Sequence, residues 1–198
     1  MSEGDHFVAG CPLYCWPSGF AAGFTLVELL VVLAIGAILA AIAVPALQNL
    51  VVANQLAAMT DTFVSALYEA RSEAGKLGTT VSLTTAGGQN WTGGWTMAAA
   101  NPNGVGNLAA LRVGAALPAG YTVFSTALFS GVVTFDSTGR VLPGAGEFMF
   151  CQGGGPAAGG RAQMVMVASS GRVRIAQNNA SGNPIDPIAN APVTTCQP

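Results

Sequence analysis

The first side chain placed to do chemistry is the carboxylate of Glu28, which stands directly before a long uncharged run. The run from Leu29 to Leu47 has 19 residues, close to the roughly 20 that span a bilayer as a helix. A carboxylate in a membrane segment costs on the order of 2–3 kcal/mol at the centre and less near an end. We therefore expect Glu28 to meet a positive group.

A second chemical feature is the pair of guanidinium groups in Gly171-Arg172-Val173-Arg174. Residues two apart on a strand share a face, so Arg172 and Arg174 should project together while Val173 and Ile175 face the core. Two guanidinium groups about 7 Å apart suit successive phosphates of a nucleic acid. The alternative is a solvated hairpin face beside a glycine turn. The C-terminal part has an excess of only two positive charges, which by itself is not a nucleic-acid-binding composition.

The four cysteines form two pairs on opposite sides of the uncharged run. If that run crosses a membrane, one pair faces a reducing compartment and the other an oxidising one. Cys151 and Cys196 are then a candidate disulfide that would tie the Asn/Pro-rich tail to the domain. Cys11 and Cys15 fit two ordinary thiols better than a metal site, because His6 is the only further ligand nearby.

The chain offers little for catalysis. Its only histidine is His6, and the carboxylates of Asp136, Glu147 and Asp186 form no paired motif. No Cys/His spacing typical of a metal site follows the uncharged run. We expect a protein that is not an enzyme and that uses neither a metal nor another cofactor.

The elements that position these groups begin with one long helix, predicted from Thr25 to about Lys76. Hydrophobic residues make up 51% of the chain and charged residues 8%, and much of the excess lies in residues 24–53. The first part of the helix is apolar on every side, as a membrane helix must be. Pro45 is either tolerated there or is a flexible point. Beyond it, an apolar stripe recurs at steps of three or four: Leu56, Met59, Phe63, Leu67, Ala70 and Ala74.

After Gly78 the pattern alternates and predicts short strands separated by glycine-rich turns. Two hairpins are expected, one turning at residues 136–139 and one at residues 169–171. Further strands are expected at 80–84, 111–113, 121–124 and 147–152, and around Trp91 and Trp95, tryptophans more typical of a core than of a ligand platform. Residues 153–160 are expected to form a flexible surface loop. The sequence thus predicts a β-rich domain packed on the amphipathic half of the helix.

Three interpretations of the N-terminus compete. A secretory signal cut after Ala41-Ile42-Ala43 requires a short basic segment first, but residues 1–28 contain no Lys or Arg. A plain signal anchor explains the length of the run, yet it explains neither Glu28 nor the amphipathic continuation of the helix.

The third interpretation is a resemblance: Gly23-Phe24-Thr25-Leu26-Val27-Glu28 is similar to the processing site of type IV prepilins. The resemblance implies cleavage by a prepilin peptidase between Gly23 and Phe24 and methylation of the new Phe24 amine. It also implies assembly roles for Glu28 and for Pro45, where many members carry a helix-loosening proline. The chain departs from the family in having no basic residue just before Gly23, so its positive-inside signal is weak.

Electrostatics gives the resemblance a physical reason. Cleavage would expose a positive amine on Phe24, and helices packed side by side could bring it to a neighbour's Glu28. At 4 Å the attraction is about 1 kcal/mol in water and about 4 kcal/mol at an intermediate dielectric. This is comparable with the cost of burying the carboxylate, so the charge favours a helix that has found a partner.

Two segments in the β region narrow the resemblance. Residues 133–141 and 170–175 look like the GspH/FimT group, which includes the minor pseudopilin H of type II secretion and minor pilins of type IV pili. This implies an α+β fold, in which a long N-terminal helix, membrane-spanning in its first half and amphipathic in its second, packs on a C-terminal domain of two antiparallel β-sheets. Gly171, Arg172 and Arg174 match the Gly-Arg-x-Arg pattern with which FimT-type pilins bind DNA.

The expected organisation is a leader (1–23), an assembly half of the helix (24–53), an amphipathic half (54–78), a periplasmic domain (79–177) and a tail (178–198). We expect a low-abundance, single-pass inner-membrane subunit near the tip of a type II secretion pseudopilus or a type IV pilus. Its leader would be cytoplasmic. Its partners would be other pilins, bound through the helix, and the prepilin peptidase. Alternatives are a DNA-binding FimT-like pilin and, more remotely, a signal-anchored periplasmic binding domain.

Overall fold

A computed structural model of the chain describes residues 23–101, 103–104, 106–186 and 190–196. It divides into two compact units, of which one ends at Pro45 and the other begins at Ala46. The expectations for His6, Cys11 and Cys15 concern residues outside this described part, and they stay predictions.

The long helix is confirmed as α1, Leu26–Leu77, with 52 residues. Its start is set by Thr25, whose Oγ1 accepts a hydrogen bond from the Glu28 backbone N at 3.2 Å, as an N-cap residue does. Its end follows Lys76 in the last turn, with Gly78 at a φ of 65° just beyond. Such a positive φ is easily adopted by glycine and commonly ends a helix. The helix continues through Pro45.

The remaining described residues form short strands, in chain order: β1 Val81–Thr84, β2 Trp95–Ala100, β3 Asn107–Gly114, β4 Tyr121–Ser125, β5 Val132–Phe135, β6 Val141–Leu142, β7 Gly146–Gln152, β8 Arg161–Val167, β9 Val173–Ile175, β10 Ile185–Asp186 and β11 Ala191–Pro192. Short 3-10 helices lie at Ala127–Phe129 and Pro156–Ala158. Both predicted hairpins are present, as β5–β6 and β8–β9.

The strands form two main sheets in which all pairs are antiparallel. Sheet A has the order β3-β2-β1-β5-β6, and sheet B has the order β4-β7-β8-β9. A separate pair, β10-β11, belongs to the tail. A long apolar helix that packs on antiparallel sheets is the fold class expected from the sequence, and it is confirmed.

Both sheets pack on the second half of α1 around one core. The helix buries seven residues there: Leu56, Thr60, Phe63, Ala66, Leu67, Ala70 and Ala74. The predicted stripe therefore holds except at Met59, which is only partly buried. Phe63 is 4% exposed and meets four aromatic rings edge-on: Trp91, Trp95, Phe148 and Phe150. This aromatic centre joins the helix to both sheets.

One local expectation needs correction. Trp91 lies before β2 and not on a strand, although it is core as expected, and its Nε1 donates to Ser125 Oγ at 3.1 Å. Residues 153–160 lie mostly at the surface, as expected, and make backbone hydrogen bonds such as Gly160 N to Gly155 O at 2.8 Å. Gly155 alone among them is buried, and a side chain there would collide with the sulfur of Cys196.

Candidate functional site

The predicted processing segment leads directly into α1. Gly23, Phe24 and Thr25 are exposed and precede the helix, and Glu28 lies in its first turn. A carboxylate in the first turn is favoured by the positive end of the helix dipole, by about 0.3–1 kcal/mol. Thr25 and Glu28 also have the spacing of a capping box. The position of Glu28 therefore suits a local role at the helix N-terminus, independent of any partner.

Within the described residues, nothing covers the apolar half of α1. Every side chain from residue 26 to residue 51 is exposed, and many are large, including Leu29, Ile35, Ile38, Leu39 and Leu50. By length and composition this helix could cross a membrane. So large an exposed apolar surface requires lipid or other helices around it.

The structure brings Arg172 and Arg174 together, as the sequence predicted. Both are exposed, and both line one cleft of about 510 Å³ on sheet B. Val173 is buried between them. Ile175 lies opposite the buried Val165 of β8, so it is on the core side of the sheet as expected, but it remains 38% exposed. Ile175 sits on the edge strand β9, where little covers its outer side.

Gly171 serves the fold of this surface. Its φ is 77°, and a Cβ there would collide with the carbonyl oxygen of Gly139 in the neighbouring turn. Only a glycine lets these two turns lie against each other. The glycine of the predicted anion-binding pattern is therefore explained by packing, whatever the arginines bind.

Arg71 and Tyr68, on α1, hold the same region, and sequence reasoning missed them. Arg71 Nε donates to Gly139 O at 3.1 Å and Nη2 donates to Ser170 O at 3.3 Å. Tyr68 Oη donates to Val173 O at 2.8 Å. Their targets are backbone carbonyls, which carry no residue-specific signal, so no pattern in the sequence could have identified them. These contacts fix the turn from which Arg172 projects.

Two acids share the cleft with the arginines. Glu147 on β7 and Asp186 on β10 line its wall. Burial raises the pKa of the Glu147 carboxyl above its usual range, and the nearby charge of Asp186 raises that pKa further. A pKa raised in the folded state means that ionisation of Glu147 costs stability as the pH rises through it. Sequence reasoning found no motif in these acids, because the fold alone brings them together.

The C-terminal tail covers the outer face of sheet B. Buried on that face is a second apolar cluster, packed against Val193 and Cys196 of the tail: Met149, Cys151, Ala162, Met164 and Ala176. Cys151 and Cys196 form a disulfide. The tail is further held by a hydrogen bond from Ile185 N to Gln177 O at 2.8 Å. It places Asp186 at the border of the arginine cleft.

A second cleft, of about 520 Å³, lies between α1 and the segment after β3. Its lining includes Trp91, Trp95 and Arg112. Arg112 is already engaged, since it pairs with Glu69 and lies over the Trp95 ring. Within the described ranges, no group of three or more metal-ligating side chains comes together.

Comparisons with known proteins agree with this arrangement. Residues 59–171 match the family described as Type II transport protein GspH, and residues 20–44 match the prokaryotic N-terminal methylation motif. No curated protein sequence matches the chain.

Two crystal forms of the type IV minor pilin FimU of Pseudomonas aeruginosa strain PAO1 have a similar fold. One is 19% identical, with a TM-score of 0.55, and the match covers 72% of this chain and 96% of FimU. The other is 18% identical, with a TM-score of 0.52, covering 70% and 98%. At this identity the likeness concerns the fold alone. The GspH match, in contrast, spans more than half of the chain. The chain therefore belongs to the GspH family of minor pilins and pseudopilins, membrane-anchored structural subunits that are processed by prepilin peptidase and assemble with other pilins, and it is not an enzyme.

Proposed function

We propose that this chain is a minor subunit of a pilus-like filament, made as a precursor that is cut between Gly23 and Phe24 and methylated on the new Phe24 amine. The observation that carries the proposal is the uncovered apolar helix that begins two residues after Phe24. The match to the N-terminal methylation motif covers residues 20–44, which include both the expected cut and the start of this helix. In this proposal residues 1–23 are a cytoplasmic leader that the filament does not contain.

Residues 24–53 are then the assembly segment. They stay in the inner membrane before assembly and pack among the helices of other pilins afterwards. Glu28 would meet the Phe24 amine of a neighbour, and Pro45 would loosen the helix where subunits adjust to one another. Pro45 lies inside α1, where its missing backbone N–H removes one helical hydrogen bond.

The β domain (79–177), on the amphipathic helix half 54–78, and the tail (178–198) would lie in the periplasm. The disulfide between Cys151 and Cys196 supports this orientation, because disulfides persist in the bacterial periplasm and are rare in the cytosol. The filament is either a type II secretion pseudopilus, which would promote protein secretion, or a type IV pilus, with this subunit near the tip. Neighbouring genes for secretion or for pili would separate the two machines.

Mass spectrometry of the N-terminus tests the processing step. When the full chain is co-expressed with a prepilin peptidase, we expect a mature protein that starts at Phe24 and carries one methyl group on its α-amine. Without the peptidase the chain should keep its leader. A different start, such as one after Ala43, would point to a secretory signal and would contradict the proposal.

DNA binding is a second candidate function, and one observation favours it. Arg172 and Arg174 are both exposed and line the same cleft, so two guanidinium groups could contact successive phosphates. The DNA would be bound through its backbone, without a sequence preference.

A mobility-shift assay tests this candidate. We expect residues 54–198, or the full chain, to shift duplex DNA at low salt, less as salt rises. The double variant Arg172→Ala/Arg174→Ala should lose the shift. Arg161→Ala, at the opposite end of β8 and also exposed, is the matched control and should retain most of it. No shift of wild type at low salt would remove this candidate.

A further inference from the structure

The cleft lined by the two arginines has equal numbers of positive and negative side chains. Its charged lining consists of Arg172 and Arg174 with Glu147 and Asp186. The rest is mainly apolar or small: Thr126, Leu128, Ala145, Gly146, Met166, Val167 and Ala168. A polyanion that contacts the arginines therefore also meets two carboxylates, which repel it.

The sheet register fixes one of these acids relative to the arginines. Glu147 on β7 is directly opposite Met166 on β8, and Met166 is directly opposite Arg174 on β9. The three residues form a row across three strands, and strands lie about 4.8 Å apart. The backbones of Glu147 and Arg174 are thus about 10 Å apart, and both side chains belong to the same cleft wall.

The tail fixes the other acid. Asp186 ends β10, which pairs with β11. Both strands lie in the segment between Cys151 and Cys196, which are 45 residues apart and joined by the disulfide. The proximity of Asp186 to Glu147 is also visible in its effect on the pKa of the Glu147 carboxyl. Both acids are therefore held by the fold in the cleft that the arginines line.

We propose that Glu147 and Asp186 are specificity-determining residues of the Arg172–Arg174 cleft, where their negative charges oppose polyanions and set how strongly the cleft binds them. This inference rests on the proposed DNA-binding function. The two carboxylates weaken anion binding by the wild-type cleft, so removing either negative charge should increase its affinity. A charge about 7 Å from a phosphate, at a dielectric between those of protein surface and water, changes affinity by about fivefold.

The proposal implies that binding depends on pH. The charged groups that line the cleft with Glu147 are Arg172 and Arg174 from β9 and its preceding turn, and Asp186 from the tail. β7 carries no other charge, and on β8 the neighbour opposite Glu147 is the uncharged Met166. A bound phosphate would favour the protonated Glu147. Binding should therefore strengthen as the pH falls, with uptake of protons.

Fluorescence anisotropy of a short labelled DNA duplex tests the proposal, with the full chain in phosphatidylcholine nanodiscs at low salt. We expect Glu147→Gln and Asp186→Asn each to bind about fivefold more tightly than wild type at about pH 7.5. As the pH is lowered from there, the wild type should approach Glu147→Gln. Asp61→Asn is the control and should bind like wild type. It removes an exposed charge from α1. This charge lies ten residues, or about 15 Å, from Arg71, the helix residue that contacts the turn before Arg172. Thermal unfolding of each variant checks that the fold is retained.

The outcomes separate this inference from the function on which it rests. If Arg172→Ala/Arg174→Ala abolishes binding but Glu147→Gln and Asp186→Asn bind like wild type, DNA binding stands and the role of the acids is wrong. If Asp61→Asn gains as much as they do, the effect is one of overall charge and the inference also fails. If no protein binds at any pH in this range, both fail. Wild-type binding that Arg172→Ala/Arg174→Ala abolishes and that Glu147→Gln and Asp186→Asn strengthen supports both.

Discussion

Phe63→Ala is expected to lower the free energy of unfolding by about 3–5 kcal/mol, the range for removing a buried aromatic side chain. Phe63 lies on α1 and meets the rings of Trp91, Trp95, Phe148 and Phe150, with centroid distances of 4.7 to 6.1 Å. Its removal would open a cavity where the helix and both sheets meet. Since domains are stable by only about 5–15 kcal/mol, the loss should be visible as a large shift of the denaturant midpoint.

Leu77→Ala provides the control on the same helix. Leu77 is 47% exposed, so its truncation should change stability by no more than about 0.5 kcal/mol. Denaturation monitored by tryptophan fluorescence suits both variants, because Trp91 and Trp95 adjoin Phe63. A loss below about 1 kcal/mol for Phe63→Ala would mean that the helix is not held by this aromatic centre.

Glu28→Ala should leave processing at Gly23 intact and reduce incorporation into filaments at least tenfold. The reason is the lost attraction between the carboxylate and a neighbour's Phe24 amine, which at an intermediate dielectric is worth about 4 kcal/mol at 4 Å. The measurement is the ratio of processed protein in sheared filaments to processed protein in the membrane.

A second substitution separates this intersubunit role from the local one. Glu28→Gln keeps a residue type that serves in a capping box with Thr25, but it removes the charge. If charge pairing matters, Glu28→Gln should fail to assemble as Glu28→Ala does. Assembly restored by glutamine would show that Glu28 acts by capping its own helix, and it would refute the pairing model.

Much of the fold could be predicted because its signals are local. The uncharged run, the stripe around Phe63 and Leu67, and the two glycine turns each reflect a period or a turn preference that neighbouring residues express. The hairpin that carries Arg172 and Arg174 was predictable for the same reason, as was their shared side of the sheet. Membership of the pilin-like class followed from the six residues at 23–28.

The rest depends on distant parts of the chain. Glu147 and Asp186 are 39 residues apart in sequence and become neighbours only because the tail folds back over sheet B. Alternation correctly places Ile175 on the core side of the sheet, but it stays 38% exposed because β9 is an edge strand, which no local pattern reveals. The glycine-rich segment at 153–160 lies mostly at the surface, as expected, but its Gly155 packs against a disulfide whose second cysteine is Cys196, far along the chain.

The polar contacts between α1 and the sheets acquire a mechanical meaning in a filament. A subunit held by its neighbours through its N-terminal helix receives any pulling force along that helix, and the force must pass into the β domain. Arg71 and Tyr68 tie α1 to the turns and the edge strand, while Gln55 accepts a hydrogen bond from Tyr121 Oη on β4 at 2.8 Å. These bonds join the helix to its own domain, so we expect them to carry part of such a force and to raise the tension at which the helix separates from the domain.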